Sequence, residues 1–253
     1  MRHKLSTIWL LVAIAACSDS SGPNGGGSSL GNVAVSFATQ SGAAGSPAAA
    51  AYAPALMLDD TLISGNDTLI VTSAQIVLKE IELKRLEVAD CVEEDACEKF
   101  EAGPVLISLP LTGGADTQFE LPIDTGRYTE IRFKIHKVSG DDPADAAFIQ
   151  ANPTFEDISI RISGIFNGDS VMYETDLNVD QELALSPTLV VDGSIPINVT
   201  ILTPLNVWFR DEAGRVINPA TGNKGGENES RVQENIKQSF EAFEDNDKSG
   251  SRN

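Results

Sequence analysis

Near the C-terminus, "DNDKSG" places Asp245, Asp247, Ser249 and Gly250 at a spacing that suits a cation. Oxygen-bearing side chains at alternate positions, then a glycine for a sharp turn, form the first half of an EF-hand-like calcium loop. The bidentate Glu that would close such a cage has no counterpart before Asn253, so Asp245, Asp247 and Ser249 read as a weak Ca2+ half-site. A solvated acidic tail has the same composition. Catalytic chemistry has less to draw on. His3 and His136 are the two histidines, and the alternation in "EIRFKIH" puts His136 beside Arg132 and Lys134 on a solvent face. A Ser-His-Asp relay, a Cys-His pair or a multi-histidine metal site therefore lacks material. Paired carboxylates for glycoside cleavage exist as Asp59-Asp60 and Asp141-Asp142, but with 37 acids adjacency is expected by chance. Neighbours on a strand also point to opposite faces. The chain is expected to be no enzyme. For binding, Trp208 in "LNVWFR" falls between Leu205, Val207 and Phe209 on the face of Asn206 and Arg210. Exposed, it could stack on a sugar or anchor a partner; covered by the C-terminal helix, it is core.

Three cysteines are present. Cys91 and Cys97 bracket "VEEDA", and in an oxidising compartment such a pair closes a disulfide worth about 2 kcal/mol on a surface loop. Two thiols without further ligands do not complete a tetrahedral zinc site. Cys17 follows cationic Arg2, His3 and Lys4, an apolar run over residues 8–12, and small Ala13, Ala15 and Ala16. Those are the parts of an export signal, too short for a bilayer that needs about 20 apolar residues. Residues 18–29 are almost entirely Ser, Gly, Asn, Asp and Pro, a flexible tether.

The balance of 18 Lys+Arg against 37 Asp+Glu becomes 16 against 37 once Arg2 and Lys4 leave with the signal. So acidic a surface repels phosphate backbones, and no nucleic-acid partner is expected.

Short alternating apolar runs bounded by turn residues dominate the body. Val33, Val35 and Phe37 alternate in the first, and a Gly/Ala/Ser/Pro-rich loop follows to about Pro54. In "DTLIVTSAQIVLKEIELKRLEV" the phase switches between Leu78 and Ile81, which predicts a bulged strand or two strands. "GPVLISLPL" is a strand, and "FELPIDTGRYTEIRFKI" is strand, turn, strand. Beyond the polar loop "SGDDPADAA", Ile158, Ile160 and Ile162 alternate toward Asn167-Gly168, a strong hairpin signal. "SIPINVTIL" and "LNVWFR" supply the last strands. The spacing indicates a mainly β, antiparallel β-sandwich.

Ile14-Ala15-Ala16-Cys17 resembles the lipobox of bacterial lipoproteins. The resemblance implies that Cys17 becomes the lipidated N-terminus, and Ser18 after it resembles the outer-membrane sorting preference of Gram-negative systems. "SAQIVLKEIELKR", "PVLISLPL" and "LPIDTGRYTEIRFKI", with "LNVWFRDEAGRVINPAT" and "ENIKQSFEAFEDND", are similar to bacterial envelope lipoproteins carrying a β-sandwich domain of unknown function. The element L-P-x-x-x-G-x-Y also recurs in prealbumin-like and other immunoglobulin-like modules, where the Gly permits the turn and the Tyr hydroxyl pins the corner. The resemblance implies a fold and an address but no activity.

Val232, Ile236, Phe240 and Phe243 fall on one helical face, and Ser230 with Gln233 has capping-box spacing, so residues 229 to about 243 should form an amphipathic helix docked on the sandwich. The chain thus divides into a signal (1–16), a lipidated cysteine and tether (17–30), a sandwich body (31–212) and a C-terminal loop, helix and acidic tail (213–253). A non-catalytic interaction or structural module, tethered to the membrane and meeting an envelope protein, is the expectation. The alternative is a surface lipoprotein that binds or cleaves carbohydrate.

Overall fold

The computed structural model describes residues 30–39, 60–86, 99–100, 103–111 and 113–252. The signal, Cys17, its tether up to residue 29, the loop before Pro54, Asp59, Cys91 and Cys97 lie outside the described residues. Among these residues the strands form two sheets packed around one core, the mainly β sandwich that the alternating runs predict.

The smaller sheet has the order β12 (Glu241–Glu244), β11 (Ile197–Leu202), β1 (Leu30–Ala38), β6 (Ala115–Asp124). Val33, Val35 and Phe37 of β1 are fully buried between the sheets, as their alternation requires. The pairing of β1 with β11 is parallel, running from Val33 opposite Ile197 to Ala38 opposite Leu202, and departs from an all-antiparallel expectation. A parallel pair needs a long crossover, and here the whole second sheet lies between the two strands.

The larger sheet has the order β10 (Val179–Val191), β7 (Gly126–Ile135), β3 (Asp67–Arg85), β8 (Ile160–Phe166), β9 (Asp169–Thr175). β2 (Asp60–Ser64), β4 (Lys99–Phe100) and β5 (Val105–Ser108) also pair with β3. β3 is one long strand, and its register with β7 slips between Leu78 and Glu80, where the phase switch predicted a bulge. Ile76 is opposite both Ile107 of β5 and Ile160 of β8, whereas Leu78 is opposite both Val105 of β5 and Ile135 of β7. β7 and β8 therefore share one edge of β3 and meet at Val77, which donates to the Ser159 carbonyl (2.8 Å) and accepts from the His136 N–H (3.0 Å).

Two turns match their signals. Asn167 and Gly168 take φ of 53° and 95° between β8 and β9, the left-handed pair that a two-residue hairpin needs. β6 and β7 are no hairpin: Thr125 alone separates them, yet they belong to different sheets. The Tyr128 hydroxyl pins that corner by donating to the Asp124 carbonyl at 2.8 Å, as the L-P-x-x-x-G-x-Y resemblance implies.

The C-terminal third corrects three expectations. "LNVWFR" is not a strand: α2 (Leu205–Trp208) is a helical turn, so Leu205, Trp208 and Phe209 turn inward at helical spacing and Val207 is 39% exposed. α3 (Glu229–Ser239) stops before Phe240, whose extended backbone leads into β12, so Phe240 and Phe243 are buried without belonging to the helical face. Asn228, not Ser230, is the N-cap, and Gln233 reaches Glu229 and Thr175 instead of closing a capping box.

Candidate functional site

The bulge at Lys79 and the joint between β7 and β8 coincide, and the chain leaves that joint at His136 and returns at Ser159. Residues between fold over the gap as α1 (Ala146–Ala151) and a 3₁₀ turn, Pro153–Phe155. Val77, Val138, Phe148 and Phe155 form a small separate core beneath them. Apolar burial on this scale holds the excursion in place, and its polar first half is thereby pressed against Lys79.

Four side chains meet there. His136 Nε2 lies 2.8 Å from Asp145 Oδ2, which also accepts the Ser139 N–H at 2.9 Å. Lys79 Nζ lies 3.1 Å from Asp142 Oδ2, 3.4 Å from His136 Nε2 and 3.7 Å from Asp145 Oδ1. Asp142 Oδ1 accepts the Ala144 N–H at 2.9 Å; that bond first, then Lys79, holds its carboxyl below the usual carboxylate range. The Asp145 side chain is 0% exposed, and its Oδ1 has no hydrogen-bond partner. Donor atoms of His136, Asp142 and Asp145 all lie within 4.8 Å of one another, a ligand set of one imidazole and two carboxylates. This overturns the solvent-face placement of His136: it lies just past the end of β7, where strand phase no longer governs, and its side chain is 15% exposed.

Asp141-Asp142 is split by this arrangement, Asp141 remaining exposed while Asp142 joins the cluster. Trp208 is fully buried, its Nε1–H donating to Ser239 Oγ at 2.8 Å and its ring edge-on to Phe240. It is core under the C-terminal segment and no exposed anchor. Asp245, Asp247 and Ser249 do come together, but around backbone. Asp245 is buried; its Oδ2 accepts from Thr200 Oγ1 (2.9 Å) and Gly250 N (2.9 Å), its Oδ1 from Ser249 N (3.0 Å). The Asp247 carboxyl, beside the Ser249 side chain and accepting the Ser249 N–H at 3.1 Å, sits below its usual range. Asn198 Nδ2 donates to Thr200 Oγ1 and to the Asp245 carbonyl, and Ser36 Oγ donates to Asn198 Oδ1. The predicted calcium half-loop thus plugs the polar outer face of β11 and β1.

A shallow depression on the larger sheet is lined by Glu80, Glu82, Arg132, Lys134, Asp180 and Glu182. Four of its charges are paired across strands, Arg132 to Glu182 at 3.3 Å and Lys134 to Asp180 at 3.1 Å. No protein-family model matches the chain, and neither a characterised protein nor a solved structure does.

Proposed function

We propose that the protein is a lipid-anchored β-sandwich of the bacterial cell envelope, belonging with the lipoproteins it resembles, held at the outer membrane through Cys17 and serving as a non-catalytic structural or interaction module. What supports this reading is the sequence at the junction: a segment with the parts of an export signal runs up to Cys17, residues 18–29 have the Ser/Gly-rich composition of a linker, and β1 begins at Leu30. A disulfide between Cys91 and Cys97 would belong to the same reading, because an exported chain meets an oxidising compartment.

Against carbohydrate chemistry stand the aromatic side chains and the acids. Trp208, Tyr128, Tyr173, Phe37 and Phe209 are fully buried, which leaves none of them as a sugar platform. Asp142 is paired with Lys79, and the Asp145 side chain is closed to solvent, which weighs against a pair of carboxylates free to flank a glycosidic bond there.

Detergent phase partition of the full chain from envelope fractions tests the anchor. The wild type is expected in the detergent phase and Cys17→Ser in the aqueous phase; equal partition of the two would overturn the lipid. Crosslinking in intact cells then tests the role, with one envelope protein expected in near-equal amount. Recovery of the chain alone, together with saturable polysaccharide binding, would put carbohydrate capture in its place.

A further inference from the structure

We infer that His136, Asp142 and Asp145 form a binding site for a divalent transition cation of the Zn2+ type, with the Lys79 ammonium as the resident counter-charge that the ion displaces. Two independent observations carry it. The first is the ligand set: Nε2 of His136 and one carboxylate oxygen from each aspartate, all within 4.8 Å of one another, on a turn braced by a core of its own. The second is the Asp145 Oδ1 atom, fully buried and lacking a hydrogen-bond partner inside that set. The Lys79 ammonium faces that oxygen at 3.7 Å, beyond hydrogen-bond reach, and a buried carboxylate oxygen left without a donor is costly in a way that a directly bound cation relieves.

Geometry and charge agree with this reading. Tetrahedral Zn2+ holds N and O ligands at about 2.0–2.2 Å, so ligands stand about 3.4 Å apart, and donors that all lie within 4.8 Å of one another need only small side-chain shifts to reach that spacing. His136 and Asp142 keep 15% and 39% of their side chains exposed and have room to move, while Asp145 is fixed from behind by the Ser139 N–H. A metal takes imidazole in its neutral form, so His136 supplies a lone pair and the two aspartates supply the negative charge. A divalent ion balances both acids, and the part-exposed stem of Lys79 lets its head swing into water. The imidazole ligand favours Zn2+ over Ca2+, which prefers oxygen alone. Solvent completes the coordination.

Calorimetric titration of the chelator-treated full chain with ZnCl2 tests the site. Saturable binding of one ion is expected at micromolar Zn2+, weakened more than tenfold by Asp142→Asn and by His136→Gln. Both variants sit at part-exposed positions, and in Asp142→Asn the amide oxygen would still accept the Ala144 N–H. Lys79→Gln separates a metal site from a structural ion-pair network: it is expected to bind Zn2+ several-fold more tightly, because the competing cation is gone. Binding indifferent to Asp142→Asn and His136→Gln, no saturable binding by any variant, or weaker binding by Lys79→Gln would each overturn the proposal. None of these readouts depends on lipid at Cys17, so the anchor and the ion site fail or stand separately.

Discussion

Asp245 and Tyr128 are polar residues whose work is structural, and each shows how a short motif acquires its meaning from what lies opposite. The Asp245 carboxylate ends four hydrogen bonds, from the Thr200 and Ser249 hydroxyls and from the Ser249 and Gly250 amides, at a site closed to solvent. Asp245→Ala is expected to cost about 2–4 kcal/mol, because it orphans Thr200 and two backbone amides within a buried network. Urea unfolding in calcium and in chelator reads it: equal losses in both identify a structural plug, whereas a loss confined to calcium would restore the cation half-site. Half of this was legible beforehand. The spacing of Asp245, Asp247 and Ser249, read as a calcium half-loop, includes a glycine for a sharp turn, and Gly250 does take a φ of 75°. Thr200 and Asn198, more than forty residues earlier, gave the turn its buried setting.

Single elements were read best where local period had no competitor. The phase switch in β3 became a bulge at the expected residues, because side-chain alternation is a property of the strand itself. Where two periods fit, packing chose. Leu205, Val207 and Phe209 satisfy a strand, and Leu205, Trp208 and Phe209 a helical turn; the large indole went to the core with its N–H on Ser239. Phe240 was drawn out of α3 in the same way, since its ring packs edge-on against Phe133 and Trp208 only in the extended segment before β12. Closeness between β3 and β8 gives a prediction of its own. A Cβ on Gly164 would stand 2.5 Å from the Ile70 carbonyl oxygen, a backbone atom that cannot rotate away. Gly164→Ala is expected to destabilise by about 1–3 kcal/mol, seen as an earlier urea midpoint. An unchanged midpoint would mean that β3 and β8 separate without cost.

The molecule as a whole carries a formal charge of −19, spread over a surface on which many ion pairs are exposed. Exposed pairs are worth about 0–1 kcal/mol each, and the net repulsion acts over all acids at once. The melting temperature is therefore expected to rise by a few degrees as NaCl goes from low to high concentration, because the Debye length shrinks to about 3 Å at 1 M. A fall would show that local pairs such as Arg161–Glu174, at 2.6 Å, outweigh the global term. The sequence by itself determined the mainly β character, the bulge in β3 and the Asn167-Gly168 hairpin, because each follows from backbone preferences and side-chain period within a few residues, and the Tyr128 corner was implied by the resemblance of L-P-x-x-x-G-x-Y to immunoglobulin-like modules. Only the tertiary structure decided the parallel pairing of β1 with β11, the burial of Trp208, and the meeting of Lys79 with His136, Asp142 and Asp145. Lys79 and His136 are 57 residues apart, and nothing local orients either toward the other. Their contact arises because β7 and β8 compete for one edge of β3, so the chain must bridge the joint, and burial of Phe148 and Phe155 presses that bridge onto the bulge.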